Sequence, residues 1–106
     1  MSAEAAALAD LEPAAELLRA LAAPVRLAVV IELGGGPRCV HELVTAIGAS
    51  QSLMSQHLRV LRGAGLVTAT RRGREITYQL TDDHVRHIVR DAIRHAREEN
   101  TEKEQQ

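Results

Sequence analysis

A mainly α-helical fold with one small β-hairpin (α+β) is what this 106-residue sequence predicts, and three observations predict it. Apolar residues recur at three- and four-residue spacing through most of the chain, as in helices with one buried face. A glycine, Gly48, divides two of these stretches into helix, tight turn, helix. The period then changes to two over LVTATRRGREITYQL (66–80), where Val67, Ala69, Ile76, Tyr78 and Leu80 alternate with polar residues around Arg72-Gly73.

In chain order, residues 1–12 are Ala-rich and acidic and are expected to form a flexible arm. Pro13 can open a helix over AAELLRALA, and Pro24 a second over PVRLAVVIEL, which GGGP (34–37) stops. CVHELVTAI (39–47) reads as a short helix ending at Gly48. Ser50 offers an N-cap to the next helix, SQSLMSQHLRVLRGAG, whose apolar stripe is Leu53, Met54, His57, Leu58 and Leu61. His57 is expected as a half-buried packing residue. After the hairpin, Val85, Ile88, Val89, Ala92, Ile93 and Ala96 mark a last helix from about Asp82 to Glu98, and a flexible tail is expected over 99–106. The domain proper is 13–98. Helix-turn-helix followed at once by a basic hairpin is the order of a winged helix.

Composition narrows the function. One Tyr and no Phe or Trp argue against single-stranded nucleic acid, which needs rings for bases to stack on. A single cysteine, Cys39, rules out an internal disulfide framework. Without a signal peptide or a long apolar run, the expected location is the cytoplasm, with no membrane partner. No nucleophile motif or phosphate-binding glycine loop points to an enzyme. The net charge is only −1, but its distribution is uneven: +4 between Ser50 and Leu80, −3 before and −2 after.

That basic segment suits duplex DNA. Ser50, Gln51, Ser52, Ser55 and Gln56 open the second helix of the motif, where recognition helices read base edges, and Gln suits adenine. Arg59 lies on the same helix. Arg71, Arg72 and Arg74 at the wing can neutralise phosphates or enter the minor groove. Each feature alone also describes an ordinary cap or a solvated turn; their order is what favours DNA.

LRALAAPVRLAVVIEL (18–33), CVHELV (39–44), SQSLMSQHLRVLRGAGLV (50–67) and RRGREITYQL (71–80) resemble the ArsR/SmtB family of metal-responsive repressors, most like its SmtB-type zinc sensors. The resemblance implies a winged-helix homodimer joined through its first and last helices, binding double-stranded operator DNA without metal and releasing it with metal. One family metal site uses a Cys-x-Cys pair; here Cys39-Val40-His41 keeps only the first Cys, and residues 1–38 hold no Cys or His to complete it. Cys39 is expected to pack as a small apolar residue. The other site reads Asp-x-His, ten residues, then His-x-x-Glu or His-x-x-His. Asp82-Asp83-His84 and, ten residues on, His95-Ala96-Arg97-Glu98 match all four positions. The resemblance also implies a hydrogen bond from His95 to the backbone carbonyl near Gly65.

Geometry can test the quartet. Eleven residues bring His84 and His95 to within about 20° of one face but about 16 Å apart along the axis. Zinc–ligand bonds are about 2 Å. One helix cannot bring both to one ion; two antiparallel copies can, giving two symmetry-related sites. Two imidazoles and two carboxylates suit Zn(II), with Co(II) a substitute. The alternatives are a sensor of another metal, Co(II) or Ni(II), with His87 adding a ligand, or a thiol-reactive sensor using Cys39. His87 and Asp91 fall outside the pattern and read as a solvated face paired with Arg86, Arg90, Arg94 and Arg97; an Asp91–His95 contact could also orient the imidazole.

Overall fold

A computed structural model describes the backbone from residue 7 to 105 and side chains as far as Glu98. The elements are α1 (Leu8–Leu21), α2 (Pro24–Leu33), β1 (Arg38–Cys39), α3 (Val40–Ile47), α4 (Gln51–Gly63), β2 (Val67–Arg72), β3 (Glu75–Leu80) and α5 (Asp83–Gln105).

Pro24, Gly48 and Ser50 act as expected. Pro24 sits in the first turn of α2, behind an extended Ala23. Gly48 ends α3 with φ +90°, a left-handed position that glycine adopts without a Cβ penalty. Ser50 caps α4, its hydroxyl oxygen accepting from the Leu53 N–H at 3.1 Å. Gly65, with φ +75°, closes α4 in a Schellman pattern: its N–H bonds the Arg62 carbonyl and the Leu66 N–H bonds the Leu61 carbonyl. Asp82 caps α5, one carboxylate oxygen taking the His84 and Val85 N–H groups at 2.9 and 3.3 Å.

Four boundaries differ from the sequence reading. α1 starts at Leu8, not Pro13, so residues 8–12 of the expected arm are helical; residues 1–6 lie outside the described residues. Alanine-rich chain favours helix, and the bond Pro13 cannot donate would have gone to Ala9, on an exposed turn where water can serve instead. Cys39 is not the start of a helix but lies with Arg38 in a short strand, pairing Arg38 with Tyr78 and Cys39 with Thr77. The hairpin is thereby a three-stranded antiparallel sheet in the order β1-β3-β2. Its tip is Gly73-Arg74, set by the register Arg72↔Glu75; Gly73 alone takes positive φ, as a two-residue II′ turn requires. Finally, the α5 backbone continues past Glu98 to Gln105; the side chains of the expected tail lie outside the described residues.

The core lies where α2, α3, α4, α5 and the sheet meet. Val29, Val30, Leu43, Met54, Leu58, Leu61, Leu66, Val67 and Val89 are fully buried, with no ring among them. Two consequences bear on function. The core holds α4 by Met54, Leu58 and Leu61, so the opposite face of α4 is solvent-exposed. And α1 leaves Leu8, Leu11 and Leu18 uncovered, at 83, 48 and 56% exposure.

Candidate nucleic-acid interface and metal-ligand face

Gln51, Ser52, Ser55, Gln56 and Arg59 are all exposed on α4. With Met54, Leu58 and Leu61 pointing inward, helical periodicity gathers the polar side chains at the start of α4 on its outer side. Ser50 adjoins them while capping the helix; its hydroxyl hydrogen can still donate to a ligand. Leu53 was expected in the buried stripe but is 51% exposed, because one residue is a 100° step away from Met54. It adds an exposed apolar side chain beside the polar start of α4, of the kind that suits a thymine methyl. The signal for it was in the sequence, as a stripe too wide for one buried face.

Arg71, Arg72 and Arg74 are exposed around the tip of the β2–β3 hairpin. The register sets Arg72 beside Glu75, the one acid of the basic segment, and Arg71 beside Ile76. His57 is half-buried, as expected, and also polar-bonded, its Nδ1 lying 3.1 Å from Arg26 Nη1.

The α5 residues divide by face. Val85 and Val89 are buried, Ile88 and Ile93 partly so, while Ala92 and Ala96 are exposed. Asp82 and His84 meet at the start of the helix, with 3.6 Å between Asp82 Oδ1 and His84 Nδ1; the imidazole is 88% exposed. His95 and Glu98 are exposed near the far end. Among the described residues, no three His, Cys, Asp or Glu side chains of the single chain are grouped to hold an ion. His87 lies 3.9 Å from Asp83, Arg86 3.5 Å from Asp83 and Arg94 4.0 Å from Asp91, so part of the expected charge pairing on this helix is present.

Two further contacts bear on the site. The Gly65 carbonyl accepts the Thr81 hydroxyl at 2.7 Å, and the Thr81 N–H bonds the Leu66 carbonyl at 3.1 Å. The residue before Asp82 is thus tied to the end of α4. The sequence offered no signal for this bond, which joins positions 16 apart. At the other family location, Glu42 spends its carboxylate on the Cys39 N–H at 3.0 Å. That backbone hydrogen bond, then the Cys39 side chain, and to a lesser degree Arg38 and His41, hold the Glu42 carboxyl below the usual carboxylate value. Glu42 works as the N-terminal clamp of α3, with Cys39 half-buried beside it.

Residues 23–69, from the start of α2 into the first strand of the wing, match the family described as "Bacterial regulatory protein, arsR family". The chain is 48% identical over 82 residues to the HTH-type transcriptional regulator NmtR of Mycobacterium tuberculosis, covering 77% of this chain and 68% of that one. The chain belongs to the ArsR family. It is also 57% identical over 89 residues to the HTH-type transcriptional repressor SmtB of the same organism, which spans 84% of this chain and 66% of SmtB, just under two thirds. Among solved structures, a homodimeric winged helix-turn-helix DNA-binding domain from Mycobacterium bovis, described as a possible ArsR-family regulator, superposes with TM-score 0.77 at 31% identity, covering 86% of this chain and 84% of that one. The winged-helix fold is therefore that of ArsR-family regulators, and these relatives are regulators rather than enzymes.

Proposed function

We propose that this ArsR-family chain is a cytoplasmic, zinc-responsive transcriptional repressor. As a homodimer it binds double-stranded operator DNA when metal-free and releases it when Zn(II) occupies sites shared between two α5 helices. The observation that carries this reading is the Asp82–His84 pair at the first turn of α5, with His95 and Glu98 exposed on the same face by helical spacing. Asp82, His84, His95 and Glu98 form an N₂O₂ donor set when two helices lie antiparallel, and borderline donors of this kind fit Zn(II), with Co(II) as a substitute. When bound, the ion supplies a divalent charge that the four donors share across the interface. The uncovered leucines of α1 support a second copy.

DNA reading falls to α4 and the wing. Gln51, Ser52, Ser55 and Gln56 contact base edges, Ser50 and Arg59 their phosphate surroundings, and Arg71, Arg72 and Arg74 the backbone or minor groove. For metal to weaken DNA binding, the liganded dimer must favour an arrangement that fits the operator less well. Thr81 lies on the path: fixing Asp82 fixes its neighbour, whose hydroxyl holds Gly65 at the end of α4. A carbonyl has two lone pairs, so Gly65 can also accept His95, the link the family resemblance implies.

The test uses operator duplexes selected by the metal-free protein from a random pool. Zinc should release the wild type. His95→Ala should keep metal-free binding and lose zinc-driven release; a variant still released by zinc would remove His95 from the site. A second reading rests on His87, whose ring lies beside Asp83 near the quartet. If it joins the ligands, with Asp91 orienting a neighbour, a metal preferring more than four donors, Ni(II) or six-coordinate Co(II), becomes the effector, and release should be steeper with that ion than with zinc. Release that follows oxidation of Cys39 and ignores metals would replace both readings with a thiol sensor.

A further inference from the structure

Arg26 joins three helices with one guanidinium. Its Nε donates to the Ala20 carbonyl at 2.6 Å, in the last turn of α1, and its Nη1 lies 3.1 Å from Nδ1 of His57, midway along α4. A guanidinium only donates, so His57 Nδ1 accepts, and the ring keeps its proton on Nε2. Both side chains are half-buried, where water competes less for these bonds. Ala20 is one of the last four carbonyl-bearing residues of α1, which have no partner within the helix, so the cation also answers the negative end of α1.

Along its length α4 is otherwise anchored by Met54, Leu58 and Leu61, whose apolar contacts are non-directional and tolerate rotation of the helix about its axis; the Thr81 bond to Gly65 lies beyond its last turn. A hydrogen bond weakens steeply with angle and does not. α1 is the helix whose uncovered leucines would meet the second copy in the proposed dimer, so a bond from its last turn through Arg26 to His57 would set α4 relative to the dimer frame.

We propose that Arg26 and His57 are positioning residues for sequence-specific DNA reading, locking the rotation of α4 and hence the aim of Gln51, Ser52, Ser55 and Gln56. The inference rests on the operator-binding reading. Base-edge bonds need this aim, whereas phosphate contacts by flexible arginines carry no sequence information and tolerate a rotated helix. The lock therefore matters for discrimination rather than for affinity to any duplex.

The experiment compares wild type, His57→Leu, His57→Gln and Arg26→Lys, all metal-free and folded by circular dichroism. Each is titrated with the selected operator and with a scrambled duplex at one salt concentration. His57→Leu removes the acceptor, and Arg26→Lys keeps the charge but loses the fork that reaches both acceptors. Both should lower the operator-to-scrambled ratio about tenfold with scrambled-duplex affinity unchanged. His57→Gln, whose amide oxygen can accept from Arg26, should stay within about twofold of wild type. Wild-type discrimination in His57→Leu would overturn the inference, as would an equal loss in His57→Gln, or equal losses on both duplexes. If His57→Leu does not fold, Arg26→Lys against His57→Gln makes the same comparison. A wild type that selects no sequence overturns the DNA reading, and this inference with it; a selective wild type matched by the variants overturns this inference alone.

Discussion

Glu42 is a surface carboxylate with a defined task. Because its folded pKa is depressed by the Cys39 N–H, the ionised form stabilises the fold at any pH above the ordinary carboxylate value, and that contribution is lost as pH falls through the lower folded value. Thermal unfolding of wild type and Glu42→Gln should therefore differ at pH 7, and the gap should close as the pH is lowered through the acid range; a gap independent of pH would deny the clamp. Thr81 is the second residue whose role is local. Thr81→Val removes the hydroxyl from Gly65, and an exposed hydrogen bond of this type contributes about 0.5 to 1 kcal/mol. Denaturant unfolding should register that loss and Thr81→Ser should restore it. Neither contact was legible beforehand. Only the bond from the Cys39 N–H, which residue type alone does not announce, assigns Glu42 its task.

At the scale of elements, glycine and capping residues were readable because their chemistry is local. Gly48 and Ser50 bound the turn of the helix-turn-helix as their backbone requirements dictate. Nothing crowds a Cβ at Gly48, so Gly48→Ala should cost only the strain of its positive φ, about 1 to 2 kcal/mol, seen as a lowered melting temperature with the fold intact. The wing can be tested by salt. Replacing Arg71, Arg72 and Arg74 by Ala should flatten the dependence of log K on log salt by about 5 units for a dimer in which all three meet phosphates in both copies, and an unchanged slope would make them solvated turn residues. The missed element is β1. Two residues carry no period, and Arg38-Cys39 becomes a strand only because β3 offers an unpaired edge to it.

The whole molecule is a small domain with an aliphatic core and an uncovered apolar stripe. On α1, Leu8, Leu11 and Leu18 recur at spacings of three and seven, a helical face that the chain's own core does not use. Leu11→Glu with Leu18→Glu should leave the monomer folded, since neither is buried, and shift sedimentation equilibrium from dimer toward monomer. Under the proposed function, in which each α5 site takes half its donors from the second copy, it should also abolish zinc binding at submicromolar protein. Zinc held equally well by a monomeric variant would place the site within one chain.

The fold class and the winged-helix order were legible in the sequence, as were the exposed polar start of α4 and the spacing of His84 and His95 along α5. Each of these follows from periodicity, turn chemistry or fixed spacing, which are properties of neighbouring residues. Tertiary structure alone decided the edge strand, the clamp on Glu42, the Thr81 tie to Gly65 and the Arg26–His57 bond. These join positions whose separation in the chain says nothing of their distance in space. A directional bond between two such residues exists only once the packing of other side chains has brought donor and acceptor together.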